Sequence, residues 1–378
     1  MRGLECRASF RRMTQFLTPH AASLPSTVPF TGPETLERRS GLPFRARLGA
    51  NESVFGPSPK AVAAMEAAAS AAWMYGDPEN HDLKQALAVH HGVAPSHIAI
   101  GPGIDGLLGQ LCRLTLEGGT PVVTSLGAYP TFNFHVAGYG GVLTRVPYKG
   151  DHEDPAALLA AAKAAGARLL YLANPDNPMG SHHPAAVIEE MVAALPDQCL
   201  LVLDEAYADV APTGGVPVIA ADHRQVIRLR TFSKGYGLAG ARVGYAITNP
   251  DLALAFDKVR DHFSMGRISQ AGALAALADQ EWMRSVQART VQARARLSGV
   301  ARANGLVPLP SATNFVTIDC GRDGGYARRV LEEMGARGVF IRMPGVAPLD
   351  RCIRISLGDD AALDVVEETL PEALKAAG

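Results

Sequence analysis

The sequence predicts an α/β protein: a large domain with a mostly parallel, helix-covered sheet, then a smaller α+β domain. Three observations carry this reading. Short apolar runs alternate with helical stretches from residue 59 to about 250, the pattern of strands buried on both faces. Residues 251 to 304 are almost continuously helical in pattern, with no proline after Pro250. Beyond them strand-like and helix-like segments mix over a shorter span. A chain of 378 residues is long enough for two or three domains and a large core.

The elements follow in order. Pro59 to Met74 is Ala-rich and opens with Ser58-Pro59, a capping residue before the residue tolerated in a first helical turn. Glu79 to His91 reads as a second helix. His97 to Ile100 is short and apolar, and runs into Gly101-Pro102-Gly103 and a helical stretch from Gly106 to Leu116. Apolar runs at Pro121–Thr124, Arg168–Ala173, Leu200–Leu203, Val226–Leu229 and Val243–Ile247 are the expected strands. In the smaller unit the pattern predicts strand Asn314–Asp319, helix Tyr326–Met334, strands Val339–Arg342 and Cys352–Ser356, and helix Ala361–Ala377. The expected division is an amino-terminal arm (1–45), a segment joining the smaller domain (46–58), a large domain (59–250) and a small domain (251–378). The arm is expected to join the smaller domain too. Its first dozen residues, with Arg2, Arg7, Arg11 and Arg12, read as an unstructured extension ahead of Met13.

Composition narrows the function. Apolar residues make up 47% and charged residues 19%, the profile of a packed globular chain. A net charge of −1 gives no reason to expect nucleic acid or an anionic membrane as partner. No apolar run reaches the roughly 18 to 20 residues that span a bilayer. The cysteines (Cys6, Cys112, Cys199, Cys320, Cys352) are scattered, with neither a disulfide framework nor zinc-site spacing, so a reducing cytoplasm is expected and no metal. His90-His91 and His182-His183 lack companion ligands and read as surface residues.

Four segments point to chemistry. Thr231-Phe232-Ser233-Lys234-Gly235 continues through Gly237-Leu238-Ala239-Gly240-Ala241-Arg242 to Tyr245 and follows a strand. A lysine among small residues can be desolvated into a neutral, nucleophilic amine. Thr231, Ser233 and Arg242 are suitable ligands for a phosphate dianion. A lone Ser-Lys pair would read as a solvated surface turn. Leu201-Val202-Leu203-Asp204-Glu205-Ala206-Tyr207 places acids at the carboxyl edge of a sheet, where ligands of such folds bind. A buried acid there needs a cationic partner such as a protonated ring nitrogen, although acids after a strand also bind magnesium or cap a helix. Asn174-Pro175-Asp176-Asn177-Pro178 fixes a rigid turn and aims an amide inward, or is simply a tight turn. Gly101-Pro102-Gly103-Ile104-Asp105-Gly106 is a strand-to-helix junction whose N–H groups suit a phosphate.

Together and in this order, these segments resemble the fold type I enzymes of pyridoxal 5′-phosphate (PLP), and among them the histidinol-phosphate aminotransferase family. Leu48 through Pro59, with Asn51-Glu52-Ser53-Val54-Phe55-Gly56-Pro57-Ser58-Pro59, resembles that family's N-E-N-P-Y-G-P-S-P signature. The resemblance implies the PLP-dependent transferase fold and ping-pong amino transfer between a small amino donor and a 2-oxo acid. Lys234 would carry the cofactor as a Schiff base and move the substrate proton, while Asp204 would keep the pyridine nitrogen protonated. Asn177 and Tyr207 would bond the ring hydroxyl, and Phe132 would stack on the ring where the family usually has tyrosine. The N–H groups of Ile104 and Asp105 would hold the phosphate with Thr231, Ser233 and Arg242. Tyr75 would reach the phosphate of a neighbouring subunit's cofactor, in a homodimer with shared sites.

On the substrate side the resemblance implies Asn51, Phe55, Asn314, Arg342 and Arg354, with Arg354 gripping a carboxylate through a two-pronged contact. Arg342 reads equally as a surface ion pair. Ser53-Val54-Phe55 departs from the family's Asn-Pro-Tyr, and Gly106 stands where an acid is frequent; both bear on the substrate rather than the cofactor. The rival readings are an aromatic or other amino-acid aminotransferase and a decarboxylase resembling the threonine-phosphate enzyme. A regulatory protein that has lost chemistry would need a broken site or an added DNA-binding unit, and the sequence shows neither.

Overall fold

The computed structural model describes residues 16–26, 30–212 and 214–378. The extension expected before Met13 lies outside the described residues. The chain opens with helices α1 (Pro19–Ser23) and α2 (Pro33–Ser40) and strand β1 (Ala46–Arg47). There follow α3 (Pro59–Ala69), α4 (His81–His91), β2 (Ile98–Gly101), α5 (Gly103–Thr115), β3 (Pro121–Ser125), α6 (Pro130–Gly138) and β4 (Val142–Val146). Next come α7 (Pro155–Ala165), β5 (Leu169–Ala173), α8 (Ala185–Ala193), β6 (Leu200–Asp204), β7 (Val226–Thr231) and β8 (Gly244–Thr248). Helices α9 (Pro250–Ala255), α10 (Arg267–Ala278) and α11 (Gln280–Ala303) lead to β9 (Val307–Pro308), β10 (Phe315–Asp319), α12 (Gly324–Ala336), β11 (Val339–Phe340), β12 (Cys352–Ser356) and α13 (Asp360–Ala377).

The large sheet has the order β2-β8-β7-β6-β5-β3-β4. Strands β3 to β7 run parallel, while β8 is antiparallel to both its neighbours. Alternate residues of the central strands feed opposite cores. Tyr171, Val202, Ile227 and Leu229 pack with Leu107, Leu111, Phe132 and Val136 on one face. Leu170, Leu172, Leu201 and Leu203 pack with Leu158 and Ile188 on the other. Both faces are therefore apolar, which is why these strands read as unbroken apolar runs. The smaller unit pairs β12-β10-β9 antiparallel and β1 with β11 parallel.

Local chemistry starts the helices where the sequence places their caps. The Ser58 hydroxyl accepts from Ala61 N–H at 3.1 Å, ahead of Pro59 at the first helical position. Asp154, Asn249, Asp323 and Asp359 cap α7, α9, α12 and α13 in the same way.

Two expectations differ from the observed packing. Helix α10, expected in the smaller domain, lies on the larger one: Ala273, Ala276 and Leu277 share a core with Ala61, Leu83, Leu87, Phe232 and Tyr245. Gly272 allows this approach, since a Cβ there would lie 2.6 Å from Met65 Cγ. From Ala293 onward α11 packs with the smaller unit. Helical periodicity shows that a face is buried but not against which core. The arm, expected on the smaller unit alone, touches both. His20 Nε2 bonds the Ala137 and Gly138 carbonyls on the large unit, whereas Arg45 N–H donates to Gly338 O at 2.7 Å and its guanidinium pairs with Glu368 on the smaller unit.

Candidate active site

The sheet reverses its winding between β3 and β5, since β4 lies outside β3 and the chain then crosses to the other side. Ligands of open α/β sheets bind outside the carboxyl ends of the strands at such a point. A cavity of about 940 Å³ lies there, walled by the loops after β3, β5, β6 and β7, by the start of α5, and by β12 from the smaller unit. Its volume suits a cofactor together with a small substrate.

Lys234 follows β7 and enters this cavity. Its Nζ donates to Asn51 O at 2.9 Å and to Ala50 O at 3.4 Å. Burial, aided by the Arg354 and Arg242 cations, pulls its pKa down to about 8, so a usable fraction of the amine is neutral near pH 7. The loop around it lies hard against the segment that begins at Asn51. Gly237 has φ +69°, and a Cβ there would sit 2.3 Å from Gly56 O. Only glycine fits.

An anion cradle adjoins the lysine. Helix α5 presents its unbonded N–H groups at Ile104 and Asp105, both on the cavity wall. Arg242 Nη1 donates to Ser233 Oγ at 3.2 Å and to Ala239 O at 3.0 Å, and Thr231 Oγ1 lies 3.0 Å from Ser233 Oγ. Gly103 has φ +78°, and a Cβ there would lie 2.4 Å from Arg242 Nη2, so glycine lets the guanidinium reach the helix start.

Asp204 ends β6 and is 5% exposed. It accepts Tyr171 O–H at 2.7 Å and Ala206 N–H at 3.0 Å, and burial raises its pKa. No basic group bonds it among the described residues, so a protonated ring nitrogen would meet an unspent carboxylate. The neighbouring acid does something else: Glu205 turns away from the cavity to bond Arg228 at 3.0 Å and Arg230 at 2.9 Å. Structure thus separates two acids that sequence left together.

Tyr207 O–H accepts from Asn51 Nδ2 at 3.0 Å. Asn177 Oδ1 accepts from Arg354 Nη1, and Arg354 Nη2 donates to Gly49 O at 2.9 Å. Among the described residues Arg354 Nε is buried without a partner, and burial pulls the guanidinium pKa down to about 10. A group short of hydrogen-bond acceptors is set to receive an anion. Arg342 also faces the cavity, donating to Thr31 O at 2.6 Å.

The structure brings together Lys234, Asp204, Tyr207, Asn177, Ile104, Asp105, Thr231, Ser233, Arg242, Asn51, Arg342 and Arg354. Four expected residues lie elsewhere. Phe132 is fully buried and stacks on Tyr171 (4.6 Å between ring centres, 17° apart), so it cannot cover a ligand ring. Tyr129 stands at the cavity instead, because it caps α6 at the mouth while Phe132, three residues on, turns into the core. Phe55 lies outside the cavity, its ring 4.6 Å from the Arg289 guanidinium, which also stacks on Trp282 at 4.7 Å. Asn314 sits behind the wall, donating to Asn51 O at 2.9 Å. Tyr75 is 74% exposed away from this cavity and stacks on Phe263 at 4.4 Å.

Sequence reasoning passed over Tyr129, Tyr171, Arg145 and Phe30, the last stacked on Tyr129 at 6.0 Å. Tyr129-Pro130 at a strand-to-helix junction was a usable signal for the first. Tyr171 carried none, being an aromatic within an apolar strand.

The chain matches the family model for class I and II aminotransferases over residues 46–370. It is 34% identical over 369 residues to a histidinol-phosphate aminotransferase of Roseiflexus castenholzii, covering 94% of this chain and 98% of that one. A histidinol-phosphate aminotransferase of Rhodospirillum centenum is 33% identical over 350 residues, with 92% and 96% coverage. Among solved structures, histidinol-phosphate aminotransferase from Sinorhizobium meliloti in complex with pyridoxal-5′-phosphate superposes with a TM-score of 0.93 at 55% identity, covering 96% of this chain and 98% of that one. With its helix-covered, mostly parallel sheet and a lysine, an acid and an anion cradle around one cavity, the chain belongs to the class I and II aminotransferase family.

Proposed function

We propose that this protein transfers the amino group of histidinol phosphate to 2-oxoglutarate with PLP as its cofactor. One observation carries the reading most: a desolvated lysine, a buried unpaired acid and a phosphate cradle converge on one cavity that also holds a buried, under-bonded arginine. Each feature fits a part of PLP. Ser233, Thr231, Arg242 and the start of α5 would hold the phosphate, Asp204 the ring nitrogen, and Tyr207 and Asn177 the ring hydroxyl. Tyr129 would cover the ring face. Bound PLP supplies the electron sink that makes the substrate's Cα proton removable. Lys234 serves as the base that holds and moves that proton, a role suited to an amine whose pKa lies near 8. Arg354 would grip the phosphate of one substrate and a carboxylate of the other, since a planar guanidinium fits both anions.

The working form is proposed to be a homodimer. Trp73, Tyr75 and Phe263 are 82%, 74% and 51% exposed, an apolar surface that a second copy would cover while Tyr75 reaches its cofactor phosphate. Four buried cysteines without disulfides support a cytoplasmic setting.

The test is turnover of the PLP-loaded protein. With histidinol phosphate and 2-oxoglutarate it should form glutamate at a rate that aromatic amino acids and threonine phosphate do not approach. Faster reaction with an aromatic amino acid, or carbon dioxide release from threonine phosphate, would replace the proposed substrate.

A further inference from the structure

Pairing between β3 and β5 stops early. It joins Val122 to Leu169 and Val123 to Leu170 only, although β3 continues to Ser125 and β5 to Ala173. The strands part just where the sheet reverses its winding, and Glu153 fills the opening. Its Oε1 accepts Ala173 N–H at 3.0 Å and its Oε2 lies 2.5 Å from Ser125 Oγ. Beside it, Asp176 accepts Tyr148 O–H and Met179 N–H, both at 3.0 Å. Each acid is 2% exposed, and neither has a cationic hydrogen-bond partner among the described residues.

Burying a carboxylate without a cation is expensive, so such a group keeps its proton. Burial and the charge of Asp176 push Glu153 well above the usual carboxylate range, and burial raises Asp176 to about 7. On a neutral Glu153 the proton belongs on Oε2, because Oε1 already accepts from Ala173. It then points at Ser125 Oγ, which can accept as readily as donate. Asp176 precedes Asn177, whose side chain meets Arg354.

We propose that Glu153 is a positioning residue acting as a neutral carboxylic acid: it ties the parted ends of β3 and β5 and, with Asp176, fixes the loop that presents Asn177 to Arg354, thereby setting affinity for the substrate's anionic group. The proposal rests on the reading of Arg354 as the anion-gripping residue. The groups facing the two acids are Ser125 from β3, Tyr148 beyond β4, His152 and Asp154 beside Glu153, Tyr171 on β5, Asn177 and His183 from the loop after β5, Asp204 at the end of β6, and Arg354 on β12. Arg354 is the guanidinium among them. Ionising Asp176 sets a negative charge behind Asn177 that offsets this guanidinium, so anion binding weakens as pH rises through about 7.

The test uses the full-length, PLP-loaded protein, with kcat and KM for glutamate measured from about pH 6 to 9, and thermal unfolding of the PLP-free chain from about pH 4 to 9. Glu153→Gln keeps a neutral group that accepts from Ala173 and donates to Ser125, so both constants should stay within about twofold. Glu153→Ala should raise KM about tenfold with kcat nearly unchanged. Asp176→Asn should abolish the rise in KM as pH passes about 7, and should shrink the fall in melting temperature between about pH 4 and 7, since a raised acid pKa gives stability that is lost as pH climbs from the unfolded value to the folded one. Glu153→Gln as impaired as Glu153→Ala would overturn the neutral-acid assignment. Persistence of the wild-type pH response in Asp176→Asn would overturn the role of Asp176. Should Glu153→Ala fail to fold, those two conservative variants still decide. If Arg354→Lys leaves KM unaltered, the reading of the site fails by itself, while the unfolding profiles still judge the two acids.

Discussion

Replacing Tyr171 by phenylalanine isolates one hydrogen bond to the central acid. The Tyr171 hydroxyl donates to Asp204 Oδ2 at 2.7 Å, and both side chains are buried. Phenylalanine keeps the ring that stacks on Phe132 at 4.6 Å, so packing on that face survives. Asp204 then retains one donor, Ala206 N–H. A hydrogen bond to a charged group is worth about 1.5 to 3 kcal/mol, which corresponds to about 10- to 150-fold. The Tyr171 bond also holds the Asp204 pKa down against burial, so its loss raises that pKa further and leaves less carboxylate to face a ring nitrogen. Because this interaction strengthens as charge flows into the ring, the loss should fall on kcat rather than KM. The assay is PLP titration of the apoprotein followed by kcat and KM for glutamate, with Asp204→Ala alongside as the larger lesion. Tyr171→Phe with wild-type PLP affinity and kcat, beside an inactive Asp204→Ala, would show the hydroxyl to be idle. A loss confined to KM would make Asp204 a substrate-positioning group.

Three further outcomes are expected. Lys234→Ala should abolish turnover while PLP still binds through its phosphate; in the apoprotein, the melting temperature should rise from about pH 8 towards 10.5 for wild type, because a depressed folded pKa favours the neutral amine, and stay flat for the variant. Gly103→Ala forces a left-handed residue at about 1 to 2 kcal/mol and sets a Cβ against Arg242, so PLP affinity should drop at least about tenfold with the fold intact by circular dichroism. Mixing Lys234→Ala subunits with Tyr75→Ala subunits should yield more activity than either parent if sites are shared, and a monomer at assay concentration would rule sharing out.

The inner strands of the large sheet were legible because both their faces are apolar, whereas the largely exposed edge strand β4 was missed; the cofactor-side residues were legible because they cluster in short segments that end strands. What escaped depended on direction rather than identity. Tyr129 and Phe132 are both aromatic and three residues apart, and only the start of α6 at Pro130 decides which faces the cavity. Asn314 and Asn51 are both polar and buried, yet one supports the backbone of the other. Glu153 sits in an unremarkable loop, and its use appears only once β3 and β5 are seen to part. The boundary after residue 250 misled because α10 and α11 have similar amphipathic patterns but pack on different cores.

Asn51 has a consequence for how the chain comes apart. Its backbone is left-handed (φ +55°), a conformation asparagine tolerates. Its carbonyl accepts from both Lys234 and Asn314, and its N–H and Oδ1 bond Ser356 Oγ, each at 2.9 Å. One residue therefore stitches a strand of the smaller core to the reactive loop of the larger. Melting the smaller core would strip Lys234 of its carbonyl partners and open Gly237 to water. Neither core can loosen alone without releasing these bonds, so calorimetry should record one cooperative transition, and amide exchange around Lys234 should follow that of β10 and β12.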